Sequence, residues 1–357
     1  MSISDSPSSP TAAAAPAAAA APDLASASIR STFKAQSAIE SLSSIITNVP
    51  DSPNPAFALL HDPEIASQIS SLLRQPDAGT GNNNLCRWLY DTFQSTDPQL
   101  QLVVLRYLPI VAGIYLSRVT LRKPLAGFEA VLLALYAHET TSRSGQPVTV
   151  NIPDLSQPSI YHESKAPVKN NSMDLNLAVI CPSLEPHGTV RSTRRARIVG
   201  VALELYHSKI SQLPVASKID FCEFCEAWAG GDQDVVVNGE NGGESSSSSS
   251  SSSGKLGKEE GRRIPLSWEL MQPILRILGH CMLGPEVQQK NNNNNNNKQL
   301  FDAASCACKS LYARSLHDVN PKAMLATGSL LSLARLALDS NNDIDYTEIR
   351  MTNVISL

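Results

Sequence analysis

The chain has 357 residues, of which 42% are hydrophobic and 17% are charged, and its formal net charge is −4. This balance provides no cationic field over the surface, so we expect no nucleic-acid partner. The cysteines number seven, which argues against a secreted disulfide framework and favours a reducing, intracellular compartment.

Low-complexity composition marks three stretches that we predict to be disordered: residues 1–28, 230–262 and 285–298. The first is rich in alanine, serine and proline, the second contains Ser245 to Ser253, and the third contains Asn291 to Asn297. Such segments have too little apolar surface to offset the entropy lost on ordering. We interpret the two internal stretches as loop insertions within one domain, because the cost of closing a loop grows slowly with its length.

The pattern between these stretches is helical. Asp62 followed by Pro63 predicts a helix start, since aspartate caps the first turn and proline fits its first position. Thr96 and Gln99 have the spacing of a capping box, which predicts the start of another helix. We expect Pro109 to kink that helix, whose apolar stripe consists of Leu100, Val103, Val104, Tyr107, Val111 and Ile114.

Further helices follow along the chain. One runs from about Leu125 to His138, another from Ile198 to Leu213, and a last one from Pro321 to Leu338. Spacings of three and four indicate two more, with the apolar residues Trp268, Met271, Leu275, Leu278 and Met282 in the first and Leu300, Ala303, Ala304, Ala307, Cys308 and Leu311 in the second. The longest apolar run, 102–116, is too short to cross a membrane, so no span is expected.

The segment Val148–Ser164 departs from the helical pattern. Its prolines and short β-branched runs disfavour a helix and predict extended backbone. Extended chain that crosses a helical body is either a loop or a strap that lines a groove.

Cys222 and Cys225 have the spacing of half a zinc site or of a redox pair. On a helix, however, Cys225 belongs to a stripe at i, i+3, i+4 and i+7 that is typical of a buried face: Phe221, Phe224, Cys225 and Trp228. Cys306 and Cys308, two positions apart, would point in divergent directions from a helix. We therefore expect a packing role, no metal site and no cofactor, with a zinc-dependent adaptor as the alternative.

His162 and Glu163, followed by Ser164, suggest a catalytic group. Neighbouring side chains in extended backbone point to opposite sides, so His162 and Glu163 would diverge. The sequence has neither a nucleophile elbow nor a glycine-rich phosphate loop. We predict no catalytic residues, and a hydrolase that uses His162 and Glu163 is the disfavoured alternative.

The densest basic run of the chain consists of Arg191, Arg194, Arg195 and Arg197. Contact with an anionic lipid surface or an acidic protein partner is one interpretation, since each cation near a membrane contributes about 1 kcal/mol. The alternative is a solvated helix start, although cations at that end oppose the helix dipole.

The extended segment closely resembles the (I/L)PxLxxPSxYHE stretch of the hyccin family. The matching residues, which we take as the candidate partner-binding or structural strap, are Ile152, Pro153, Leu155, Pro158, Ser159, Tyr161, His162 and Glu163. Weaker likenesses flank it in order: Tyr107–Pro109 with Ile114–Leu116, Arg197 to Pro214, and Arg263–Pro265. The resemblance covers about residues 30–340 and is interrupted by the serine- and asparagine-rich insertions.

This resemblance implies a non-catalytic, all-α subunit of the plasma-membrane phosphatidylinositol 4-kinase alpha complex. The partners that it implies are a tetratricopeptide-repeat scaffold protein, the kinase and a membrane-anchoring subunit. The expected location is the cytosol and the periphery of the plasma membrane. Membrane contact would be indirect, through these partners.

We therefore predict an all-α fold: a multi-helix bundle or solenoid-like single domain with one extended, proline-rich strap and disordered insertions. Residues 1–28 are expected to be a tail, 29–340 the hyccin-like helical domain, and 341–357 a C-terminal tail. The predicted function is that of a scaffold or regulatory subunit of a phosphatidylinositol 4-kinase complex. A generic helical adaptor in trafficking is the alternative.

Overall fold

The structure is a computed structural model that describes residues 21–47, 53–121, 123–153, 175–186, 190–191, 193–230, 265–284 and 295–339. These ranges are mostly helical, which confirms the predicted all-α class. The helices are α1 (Ala21–Ser43), α2 (Pro55–His61), α3 (Pro63–Arg74), α4 (Asn84–Gln94), α5 (Pro98–Arg106), α6 (Leu108–Val119), α7 (Ala126–Ser142), α8 (Arg195–Ser208), α9 (Val215–Ala229), α10 (Trp268–Leu283), α11 (Asn295–His317) and α12 (Pro321–Asp339). The strands β1 (Val148–Pro153) and β2 (Leu175–Cys181) lie between α7 and α8.

Aspartate side chains cap the starts of α3 and α5. Asp62 accepts hydrogen bonds of 2.8 and 3.1 Å from two amides of the first turn of α3, and Pro63 is the first helical residue, as predicted. The predicted capping box at Thr96 and Gln99 is wrong. Asp97 caps α5 instead and accepts from the Gln99 amide at 2.9 Å, whereas Thr96 has a left-handed φ of 59°.

A bend at Tyr107 separates α5 from α6. Pro109 has no amide hydrogen and its ring would clash with the carbonyl four residues earlier, so the predicted kink becomes a break of 45° between two helices. No single helix of the described ranges is long and apolar enough to cross a membrane, although this bent pair passes the same test when its two halves are combined. Most side chains of the pair are buried in the protein core.

The helices pack side by side in an order that broadly follows the chain. The helices α1, α2, α4 and α5 pack at one end, and α10, α11 and α12 pack at the other. Between them, α9 packs against α6 and against α11. One hydrophobic cluster extends through these layers, from Ala35 in α1 to Ala334 in α12.

The helices α8 and α10 cross at very short range. A Cβ atom on Gly200 would lie 2.6 Å from the carbonyl oxygen of Glu269, so this crossing requires glycine. An ion pair between Glu204 and Arg276 joins the same two helices. The C-terminal end of β2 lies next to this crossing, because Ile180 and Cys181 line a small cavity together with Gly200 and Glu269.

Two predicted disordered stretches overlap helices. The helix α1 begins at Ala21, inside 1–28, and α11 begins at Asn295, inside 285–298. Alanine has the highest helix propensity, and the last asparagines extend a helix whose first buried side chain is Leu300. The serine tract Ser245–Ser253 and residues 341–357 lie outside the described ranges.

Candidate interaction surface

The strands β1 and β2 form an antiparallel ribbon, which we call the β-ribbon. Pro153 pairs with Leu175 at one end and Val148 with Cys181 at the other, with a register irregularity beside Val148. None of the residues of the two strands is charged. A two-stranded ribbon is at best marginally stable in water unless one of its faces packs against something.

Both faces of the β-ribbon expose apolar side chains. Successive residues of a strand point to opposite faces, so Val150 and Ile152 lie on one face and the residues opposite Thr149 and Asn151, Val179 and Leu177, lie on the other. The exposed fractions are 42% for Val150, 44% for Ile152, 65% for Leu177 and 50% for Val179. Exposed apolar surface on both sides of one element is typical of a site that a partner covers.

One end of the β-ribbon, where Val148 pairs with Cys181, is fixed to the helical body, and we call this end its root. Cys181 and Leu184 are buried, and the Leu184 amide donates a 2.9 Å hydrogen bond to the Gly145 carbonyl. The Tyr136 hydroxyl, at the centre of α7, donates to the Glu185 carbonyl at 3.1 Å. The ribbon is therefore held at the end near Cys181, and its exposed residues lie toward the other end.

The predicted strap overlaps the β-ribbon at its first two residues. Ile152 and Pro153 are the last residues of β1, which confirms extended backbone at the start of Val148–Ser164. The other strap residues, Leu155, Pro158, Ser159, Tyr161, His162 and Glu163, lie outside the described ranges. The hypotheses of a partner-binding strap and of a His162–Glu163 catalytic pair therefore stay predictions.

The basic run makes several contacts within the protein. The Arg194 guanidinium forms an ion pair with Glu185, and Arg197 donates to the carbonyls of Pro182 and Ser183 at 3.3 and 2.6 Å. All three acceptors, on Pro182, Ser183 and Glu185, belong to the connector that follows β2. These contacts explain why cations are present at the start of α8 despite the helix dipole.

Two further arginines of the run differ in exposure. Arg195 is half-buried and lies near the Tyr115 hydroxyl, which donates a 3.2 Å hydrogen bond to Glu129. Burial, followed by the Glu129 charge, raises the pKa of Tyr115 to about 12, while Arg195 acts in the opposite direction. Arg191 is exposed. Arg191 and Arg194 are thus the most exposed members of the run, although Arg194 also forms the ion pair with Glu185.

The paired cysteines lie in the core. Cys222 and Cys225 on α9 are buried near Cys281 on α10 and Cys308 on α11. The hydrogen bond with Cys281 and burial raise the pKa of Cys222, and burial raises that of Cys308 to about 12. Within the described ranges, no three His, Cys, Asp or Glu side chains are grouped closely enough to hold a metal ion. Protonated, buried thiols of this kind are inert packing groups.

Thiol accessibility provides a test of this arrangement. Cys306 is exposed, whereas the other six cysteines are buried. We expect a thiol reagent such as DTNB to modify about one cysteine per native chain, slowly because burial and the Glu226 carboxylate raise the pKa of Cys306, and all seven after denaturation. The Cys306→Ser variant should show no reaction in the native state. Rapid native modification of Cys222 or Cys225 would contradict a core position.

An apolar cleft lies between α6 and α9. It has a volume of about 270 Å³ and is lined by Ile110, Ile114, Phe224 and Trp228. The ion pair of Arg74 and Asp220, 2.9 Å long, closes one side. The cleft is large enough for one or two apolar side chains, and its charged groups neutralise each other.

A family model described as Hyccin matches residues 50–355. The match includes the β-ribbon, the strap and all helices from α2 to α12.

Proposed function

The chain belongs to the hyccin family, and we propose that it is a non-catalytic scaffold subunit of a phosphatidylinositol 4-kinase complex. In this proposal it binds a tetratricopeptide-repeat scaffold subunit and thereby stabilises the assembly. The complex also contains the kinase and a membrane-anchoring subunit, through which the chain is held at the plasma membrane. The observation that carries the proposal is the uncharged β-ribbon, which exposes apolar side chains on both faces.

The two exposed faces favour a concave partner. A flat protein surface or a lipid bilayer would cover one face and leave the other in water. A groove between helices encloses both faces at once. Tetratricopeptide repeats stack into superhelices whose concave surfaces are extended grooves of this kind, so such a protein matches the shape that the β-ribbon requires.

The charges near the β-ribbon support the same type of contact. The ribbon itself carries no charge, while Arg191 and Arg194 lie just beyond its root. An apolar centre with a charged rim is the usual arrangement of a stable interface. In the proposed complex the ribbon fills the groove, and the arginines meet acidic residues at the edge of the partner.

Affinity purification of the tagged full chain tests the proposal. Under mild detergent we expect a tetratricopeptide-repeat protein and a large lipid kinase to be recovered by mass spectrometry in a stable ratio to the chain. Recovery of the chain alone would contradict the proposal. Recovery with trafficking proteins but without the kinase would favour a generic helical adaptor instead.

A further inference from the structure

The middle of α1 exposes two large apolar side chains. Ile29 and Phe33 are one turn apart, and Phe33 is 72% exposed. The opposite side of α1 is buried: Ala35, Ala38 and Leu42 face the core, and the Trp88 indole donates a 2.9 Å hydrogen bond to the Ala38 carbonyl. Because this bond and the buried side hold α1 in place, Ile29 and Phe33 are fixed on the outer surface.

Cations lie directly beside these apolar side chains. Arg30 and Lys34 each follow one of them in the sequence, so an apolar stripe and a basic stripe lie side by side within an arc of about 140° on the helix. The Lys34 ammonium donates to the Ser95 carbonyl at 2.7 Å and remains exposed. Two acidic residues of α1 share this side of the helix: Asp23 precedes the patch and Glu40 follows it, each about 10 Å along the helix from the nearer cation.

We propose that this α1 patch, made of Ile29, Arg30, Phe33 and Lys34, binds the surface of an anionic membrane. An apolar stripe with a basic stripe beside it suits the boundary between lipid headgroups and acyl chains. The phenyl ring and the isoleucine enter the boundary, and the long basic side chains extend back to the phosphates. This contact is direct and goes beyond the proposed function, in which partners supply the membrane contact.

The basic run is less suited to this role than α1. Lys34 and Arg197 both donate to backbone carbonyls, but among the described residues no large, exposed apolar side chain accompanies the arginines at the start of α8. On α1, by contrast, exposed cations lie next to exposed apolar side chains. An acidic protein is the competing occupant of the α1 patch, and the experiment below separates the two.

Vesicle flotation with the full chain tests the proposal. We expect binding to phosphatidylcholine vesicles that contain about 30 mol% phosphatidylserine, and little binding to phosphatidylcholine alone. The Phe33→Ser substitution should weaken binding about tenfold, and Arg30→Gln about fivefold, since one cation near the surface contributes about 1 kcal/mol. Raising the salt from about 0.1 M to about 0.5 M should also release the protein.

Matched controls lie on α12. Leu325 is 74% exposed and Arg335 is also exposed, so Leu325→Ser and Arg335→Gln remove comparable groups elsewhere and should leave vesicle binding unchanged. Equal binding to neutral vesicles, or no effect of Phe33→Ser with an unchanged circular dichroism spectrum, would overturn the proposal. Loss of a protein partner without loss of lipid binding in Phe33→Ser would assign the patch to a protein and overturn it as well. If the purified complex lacks a kinase but vesicle binding persists, the scaffold function fails and the membrane contact stands.

Discussion

The double substitution Leu177→Asp/Val179→Asp is expected to reduce affinity for the proposed tetratricopeptide-repeat partner at least about 100-fold. Each apolar side chain contributes about 1.5 kcal/mol or more when it is buried in a complex, and two carboxylates in an apolar groove add the cost of desolvation. Both residues are exposed by half or more in the free chain and lie outside the hydrophobic core, so the helical body should be unaffected. A titration with the purified partner gives the affinity, and a thermal melt checks the fold.

Substitutions on the other face of the β-ribbon test the concave shape of the partner. If a groove encloses the ribbon, Val150→Asp/Ile152→Asp should cause a loss of the same order. The matched control is Leu325→Asp/Leu333→Asp, which changes two exposed leucines on α12 and should leave the affinity unchanged. An effect confined to one face would contradict a groove and favour a flat partner.

Gly200→Ala is expected to lower the free energy of unfolding by about 1–3 kcal/mol, although alanine is the better helix former. The added Cβ would lie 2.6 Å from the Glu269 carbonyl oxygen, which is backbone and cannot rotate away, so α8 and α10 must separate. Urea denaturation followed by circular dichroism measures the change.

Gly279→Ala on α10 is the matched control and should have the opposite sign. Its Cβ would lie 3.7 Å from a Leu330 methyl group, an ordinary contact, so the gain in helix propensity of about 0.5–1 kcal/mol should appear as stabilisation. If both variants are stabilised, the close crossing of α8 and α10 is wrong.

Features encoded by neighbouring residues were predictable from the sequence. Asp62 and Pro63 together specify a helix start, and Pro109 specifies a break, because both effects act within one turn. The buried stripe of α9 that contains Cys225 and Trp228 was also predictable, since its period alone identifies an inward face.

Other features depend on contacts between distant residues. Nothing local in Val148–Pro153 identifies Leu175–Cys181 as its partner strand, so β2 was missed, although Leu175, Leu177 and Val179 do occupy alternate positions. At the start of α5, Thr96 and Asp97 are both suitable capping residues. Thr96 has a left-handed backbone conformation, and the Asp97 side chain is the one that accepts the hydrogen bonds of the first turn. The exposure of Phe33 could not be predicted, because composition does not reveal which side of α1 the core occupies.

In the proposed complex, the β-ribbon also has a consequence for the chain before it binds its partner. Its strands pair only with each other among the described residues, and they lack the lysines with which natural sheets protect a free edge. A chain made in excess of its partner therefore exposes unpaired strand edges, with which other unfolded or unassembled chains can form β-sheet hydrogen bonds. Supply of the two proteins in step would keep those edges covered, and quality control would remove whatever remains unpaired.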